Sequence, residues 1–405
     1  MKIKFTLILV IVVFIFSMAS LSFADTNGDL QTVVKGNSNF GFDLYQELKG
    51  EKGNLFFSPY SISTALAMTY AGAKGRTEKE IAEVLHFSLS QGPLHASFSN
   101  LQSKLNAIQN KGYIRLSIAN SLWAQEGYHF LDTFFDITKK YYGAGLNFVD
   151  FEKETEAARI TINTWVESET QQKIKELIKP GTIDLLTRLV LCNAIYFKGN
   201  WLSQFDKKRT MESDFYVSPD KRIKVSMMNK KSYFKFRDFN DFRAIELPYE
   251  GNDLSMIIFL PEKVDGLADL ERSLTNDNVK EWMGELLNSY ESEILVSLPK
   301  FKITCEFELA DVLAKMGMPS AFSLPPADFS GMIGKRDFFI SNVIHKAFVD
   351  VNEEGTEAAA ATAVAMIECI SKILLFQADH PFVFLIRENQ TGSILFIGRI
   401  ADPTK

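Results

Sequence analysis

Cysteine is scarce in this chain, three in 405 residues, and so small and odd a number cannot build a disulfide framework. A hydrophobic core must therefore carry the fold. Positive charge is also in short supply: 44 Lys and Arg face 50 Asp and Glu, for a net charge of −6, which argues against a protein built to neutralise nucleic-acid phosphates. Histidine is limited to His86, His95, His129, His345 and His380, with no HExxH spacing and no GxSxG elbow, so the common hydrolase motifs are missing. Residues 331–335 have the wrong glycine spacing for a phosphate loop and read as a turn. The run from Asp350 begins like a calcium loop, with Gly355 in sixth place, but Ala361 stands where a bidentate Glu is required. No linker rich in Pro, Gly or Ser divides residues 25–350, and no repeat of solenoid period occurs.

What is present is an ordinary globular composition, 46% apolar and 23% charged. At the start, Lys2 and Lys4 precede an apolar run over 5–16, and Ser22 and Ala24 supply small residues before a cut. This is the layout of a secretory signal peptide over residues 1–24, with a chain from Asp25 that is secreted, extracellular or periplasmic. An uncleaved anchor is the alternative, but the run is short of the roughly 20 residues that a span needs. Asn389 opens a glycosylation sequon.

The periodicity mixes helix and strand without the strict alternation of a doubly wound sheet. Residues 61–71 and 154–169 read as helices, and Thr77 with Glu80 as a capping box that starts another. Strand patterns cover residues 113–123, 189–197, 242–247, 254–260 and 293–309. Cys192 lies within one apolar run, and Cys305 alternates in step with Phe301, Ile303 and Phe307, so both read as small buried side chains. One segment conflicts with itself. From Glu353 to Ala365 the alanines favour helix, yet Gly355 sits at its head and a strand pattern precedes it.

The segment 345–363, with NLFFSPYSI at 54–62, NTWV at 163–166, NAIYFKGNW at 193–201, LPKF at 298–301, DFSG at 328–331 and DHPFVF at 379–384, resembles the serpin family. The likeness runs through most of the chain. It implies an α+β fold: one metastable domain over 25–405 with three β-sheets, about nine helices and an exposed reactive loop near 353–375. It also implies suicide inhibition, in which a protease attacks the loop and is trapped as its acyl-enzyme when the cut loop enters the main sheet. The expected partner is a target serine protease in covalent complex, with cysteine proteases as a second class. A monomer is expected, with no metal, cofactor, membrane or nucleic acid. The alternative is a serpin without inhibitory activity that acts as a binding, carrier or chaperone-like protein.

The residues themselves say whether such a loop can insert. One alternating set of the hinge is Thr356, Ala358, Ala360, Thr362, Val364 and Met366, all uncharged, so that face can be buried in a sheet. The other set is Glu357, Ala359, Ala361, Ala363, Ala365 and Ile367, which leaves the hinge's charge outward. Gly355 gives the pivot a permissive backbone. By resemblance, Glu353 is the acid at the loop's base and Lys300 its cation, expected as an exposed pair worth only about 0–1 kcal/mol. Ser58, Ser61, Asn193 and His345 correspond to a polar shutter below the parting strands, and Trp201 to an aromatic where the loop enters. Family spacing puts the scissile bond at Cys369–Ile370, which suits the modest apolar pocket of an elastase-like or subtilisin-like protease. A loop one residue shorter presents Glu368–Cys369 instead.

Overall fold

Every residue of the helix Pro59–Tyr70 is buried, and its place in the chain is fixed at its first turn. Ser58 caps it, its hydroxyl accepting from the Ser61 amide at 3.1 Å, and Pro59 occupies the position where a missing N–H costs nothing. A helix buried on every side, its hydroxyls included, belongs at the centre of a molecule, and the sheets are laid around it. The computed structural model describes residues 26–143, 146–356 and 374–405.

The central sheet has the strand order Phe301–Glu308, Asn342–Val351, Leu189–Asn200, Ile114–Gln125, Leu146–Val149. Its two middle strands, Asn342–Val351 and Leu189–Asn200, run parallel, from Asn342 opposite Val190 to Phe348 opposite Tyr196. A nine-stranded network makes up the rest, and in it the 18-residue strand Lys221–Asp238 is shared between two blades. These are the three sheets the resemblance implies, and ten α-helices accompany them among the described residues. The helix Thr155–Glu169 begins one residue inside its expected bounds and covers one face of the central sheet with Ile162 and Val166.

Three local expectations are corrected. The strand read over 293–309 is two strands, Glu291–Pro299 in a blade and Phe301–Glu308 in the central sheet. Pro299 cannot donate to a ladder, and the Lys300 amide still bonds the blade strand, at the Ser226 carbonyl, 2.9 Å away, before Phe301 joins the central sheet opposite Val351. The alternating pattern runs across that corner and hides it. The capping box at Thr77 does not form: the helix is Gly75–Val84, Thr77 is buried inside it, and its hydroxyl accepts from the Asp328 amide. Glu80 accepts from Ser320 instead of reaching back to a cap. The turn at 331–335 is a short helix, Ser330–Ile333, closed by Gly334 at φ +76°.

Candidate functional site

Beyond Tyr196 and Phe348 the two middle strands part. Asn342–Val351 stays with Phe301–Glu308, pairing Val351 with Phe301, while Leu189–Asn200 stays with Ile114–Gln125 as far as Gly199, so that only its edge toward Asn342–Val351 is freed. The chain turns back at 352–354, and Gly355–Thr356 lies antiparallel on the freed end, with Gly355 opposite Asn200 and Thr356 opposite Gly199. Gly355 has φ +146°, and a β-carbon there would sit 2.2 Å from the Gly199 carbonyl oxygen and 2.6 Å from Asn200 Cα. Both obstacles are backbone, so a glycine is required at this point.

The turn itself is held by Trp201 and Glu353. The Trp201 indole stacks on Tyr249 at 4.7 Å and donates from Nε1 to the Asn352 carbonyl at 3.0 Å. The Lys300 ammonium lies 2.9 Å from Glu353, as the resemblance implied, but the pair is not an exposed one: the Glu353 side chain is 6% exposed and also accepts from the Thr210 hydroxyl at 2.8 Å. The carboxylate is enclosed because it lies under residues 201–210, a segment the sequence did not connect to it. Burial alone would raise its pKa, but the bonds from Lys300 and Thr210 outweigh that and keep it below the usual carboxylate range.

Lower in the sheet, the four shutter residues do meet. Asn193 and His345 are opposite each other on the two middle strands, and the His345 Nδ1–H donates to Asn193 Oδ1. His345 Nε2 accepts from the Ser58 amide at 3.2 Å, which fixes the neutral tautomer. The Asn193 amide donates to the Ser61 hydroxyl at 2.6 Å and to Asn120 Oδ1. Burial pushes the His345 imidazole down to about 3. Asn120 is the member that sequence reasoning missed. On its strand it reads as one more outward polar residue, and only the pairing of Asn120 with Asn193 reveals its place.

Other candidates resolve more simply. Cys192 is fully buried, whereas Cys305 is only partly so, its thiol 3.7 Å from the Asn54 carbonyl and pushed up to about 11 by burial. The sequon asparagine uses its side chain for structure: Asn389 accepts from Ser255 at 2.7 Å and donates to the Asn252 carbonyl at 3.0 Å. Among the described residues no helix is long and apolar enough to cross a membrane, and no three His, Cys, Asp or Glu converge on a metal site. Residues 1–24, Glu357, Ala358, Ala359, Ala360, Ala361, Thr362, Glu368, Cys369 and Ile370 lie outside the described residues, and Thr356 is described by its backbone alone.

A polar shutter beneath parallel strands that part, with a glycine-pivoted strand started between them, defines a class of protein whose main sheet is ready to accept a strand. Comparison with known families agrees: the model for Serpin (serine protease inhibitor) matches residues 35–403. The chain belongs to the serpin family. Human leukocyte elastase inhibitor is 42% identical over 383 residues, covering 92% of this chain and 100% of the relative. Serpin B6 of Pongo abelii is 43% identical over 380 residues with the same coverage. Among solved structures, uncleaved ovalbumin matches with a TM-score of 0.82 and 32% identity, over 92% of this chain and 100% of that one. The two named relatives are protease inhibitors, not enzymes. They also correct the expectation of a secreted protein with a signal peptide: leukocyte elastase inhibitor and serpin B6 are intracellular serpins of the B group, so the extracellular or periplasmic placement is withdrawn.

Proposed function

We propose that this chain is a suicide-substrate inhibitor of serine proteases, with a reactive loop near 353–375 as bait and an elastase-like enzyme as its target. One observation carries the reading: Gly355–Thr356 already pairs antiparallel with Asn200 and Gly199 where the central strands diverge. Continued one for one on insertion, that register would set Ala358 opposite Phe197, Ala360 opposite Ile195, Thr362 opposite Asn193 and Val364 opposite Leu191. Those four partners are buried, and Asn193 faces Ser61 on the central helix. On insertion the uncharged set of the hinge would share the face of Asn193, toward Ser61, where a charge would be costly.

In the reaction the protease serine attacks the Cys369 carbonyl, the peptide bond to Ile370 breaks, and the Ile370 amine leaves with a proton. An ester to the protease remains. Water would hydrolyse it, so insertion of residues 357–367 must outrun deacylation, and the small hinge side chains favour that speed. The inserted strand would replace one parallel ladder by two antiparallel ones, with hydrogen bonds each worth about 1 kcal/mol net. The bait bond Cys369–Ile370 offers a small side chain, in keeping with a relative named for inhibiting leukocyte elastase. Glu368–Cys369 is the neighbouring choice and would call for a cationic pocket. A cysteine protease would be held through a thioester by the same means.

Thr356→Arg tests the mechanism. An inward cation at the first step of insertion is expected to raise the ratio of free cleaved chain to covalent complex by at least about tenfold, a barrier change near 1.4 kcal/mol. Loop cleavage itself should continue at its former rate. Undiminished trapping by the variant would rule out insertion.

A further inference from the structure

Residues 201–210, between the strands Leu189–Asn200 and Met211–Ser218, wrap the turn at the root of the loop. The Trp201 amide donates to the Glu354 carbonyl at 3.0 Å and the Phe205 amide to the Glu353 carbonyl at 2.8 Å. Trp201 Nε1 holds the Asn352 carbonyl, Thr210 holds the Glu353 carboxylate, and Lys207 pairs with Glu354. Five contacts thus reach three consecutive residues, immediately before Gly355.

The strap is fastened on its other side by two neighbours on the shared strand Lys221–Asp238. Asn229 donates to the Arg209 carbonyl at 3.0 Å, and its Oδ1 accepts from the Ser297 hydroxyl at 2.6 Å. Lys230 donates from Nζ to the Gln204 carbonyl at 2.6 Å and to the Ser203 hydroxyl. Among the described residues no carboxylate pairs with Lys230, and burial pushes its ammonium down to about 8. A half-buried cation without a counter-ion is an expensive way to fill space. It is a direct way to grip two acceptors on a loop. Ser297, at the far end of this chain of bonds, pairs with Gln377 in Leu374–Gln377, the first described strand after the reactive loop. Both ends of that loop are therefore referred to one place, Asn229.

We infer that Asn229 and Lys230 are positioning residues for loop insertion: they fix the strap 201–210, and the strap holds Gly355–Thr356 in register on the strand that the cut loop must join. The inference rests on the inhibitory reading above. A strand whose first pair is already made needs only to propagate, whereas a displaced root must find its register again while the acyl-enzyme hydrolyses. Neither residue belongs to the bait sequence 368–370. Loosening the strap should accordingly change the fate of the acyl-enzyme and not the rate at which it forms.

The experiment uses the full chain with pancreatic elastase, comparing wild type, Asn229→Ala, Lys230→Met and Lys230→Arg on denaturing gels. The quantity read is free cleaved chain divided by covalent complex, beside the second-order rate of total loop cleavage. For Asn229→Ala and Lys230→Met the ratio is expected to rise at least about threefold with the cleavage rate within about twofold of wild type. Lys230→Arg, which keeps the charge and the donors, should restore most of the trapping. Loss of folding would behave differently, since unfolded chain is degraded at many sites and a misfolded fraction stays uncleaved. Unchanged ratios in both disruptive variants, with wild type trapping normally, would overturn this inference alone. No complex with wild-type protein would overturn the inhibitory reading and this inference with it.

Discussion

At the scale of single residues, His345 shows how the shutter sets conditions for the whole fold. Its ring is neutral because Nε2 faces a backbone donor, Ser58 N–H, and a second proton there would meet that donor head on. Burial holds His345 near 3 and His95 near 4, both below the ordinary value of 6.5. With the folded values depressed, the unfolded chain binds more protons as pH falls below about 6.5. Stability from these groups is thus complete above that pH and is lost as pH drops toward the folded values, by at most about 1.4 kcal/mol per pH unit for each. Urea unfolding of wild type and His345→Gln between pH 7 and pH 4.5 should show a shallower slope for the variant. Equal slopes would mean that His345 does not titrate as its burial requires. His345, Asn193, Ser58 and Ser61 were legible through motif resemblance, but Asn120 was not. Its two partners, Ser61 and Asn193, come from distant parts of the chain, and a polar residue in a strand carries no local mark of such partners.

At the scale of elements, the hinge is a two-residue strand whose placement depends on backbone proximity. A β-carbon at Gly355 would press on Gly199, Asn200 and the Trp201 amide nitrogen at 2.7 Å or less, none of which can rotate aside. Gly355→Ala is expected to lift the hinge from Leu189–Asn200 and to cost about 2 kcal/mol or more in stability. Hydrogen exchange at the Trp201 and Phe205 amides would report the displacement directly, because both donate to the turn at 353–354. Exchange as slow as in wild type would contradict it. The sequence named Gly355 as a pivot, yet it misplaced the elements around it. The corner at Lys300 was invisible because Glu291–Pro299 and Phe301–Glu308 continue a single alternation into two different sheets. The Glu353–Lys300 pair was expected to be exposed for a related reason: nothing local announces that residues 201–210 will cover it.

At the scale of the molecule, the arrangement is a sheet with room for a strand it does not yet contain. The middle strands are parallel neighbours along most of their length and separate at one end, where the hinge has made its first two pairs. Around them the burial is ordinary, with the helix Pro59–Tyr70 fully enclosed and the shutter network satisfied. The unfinished part is local, and it coincides with the root of the loop proposed as bait. A fold read only for its core would look complete. The most direct measurement is intact mass, with a denaturing gel, of the full chain incubated with an elastase. The expected result is a species that survives denaturation, with the mass of protease plus this chain through Cys369, and a released peptide beginning at Ile370. A chain cut in the loop with no such adduct, for every elastase and subtilisin tried, would contradict trapping by insertion.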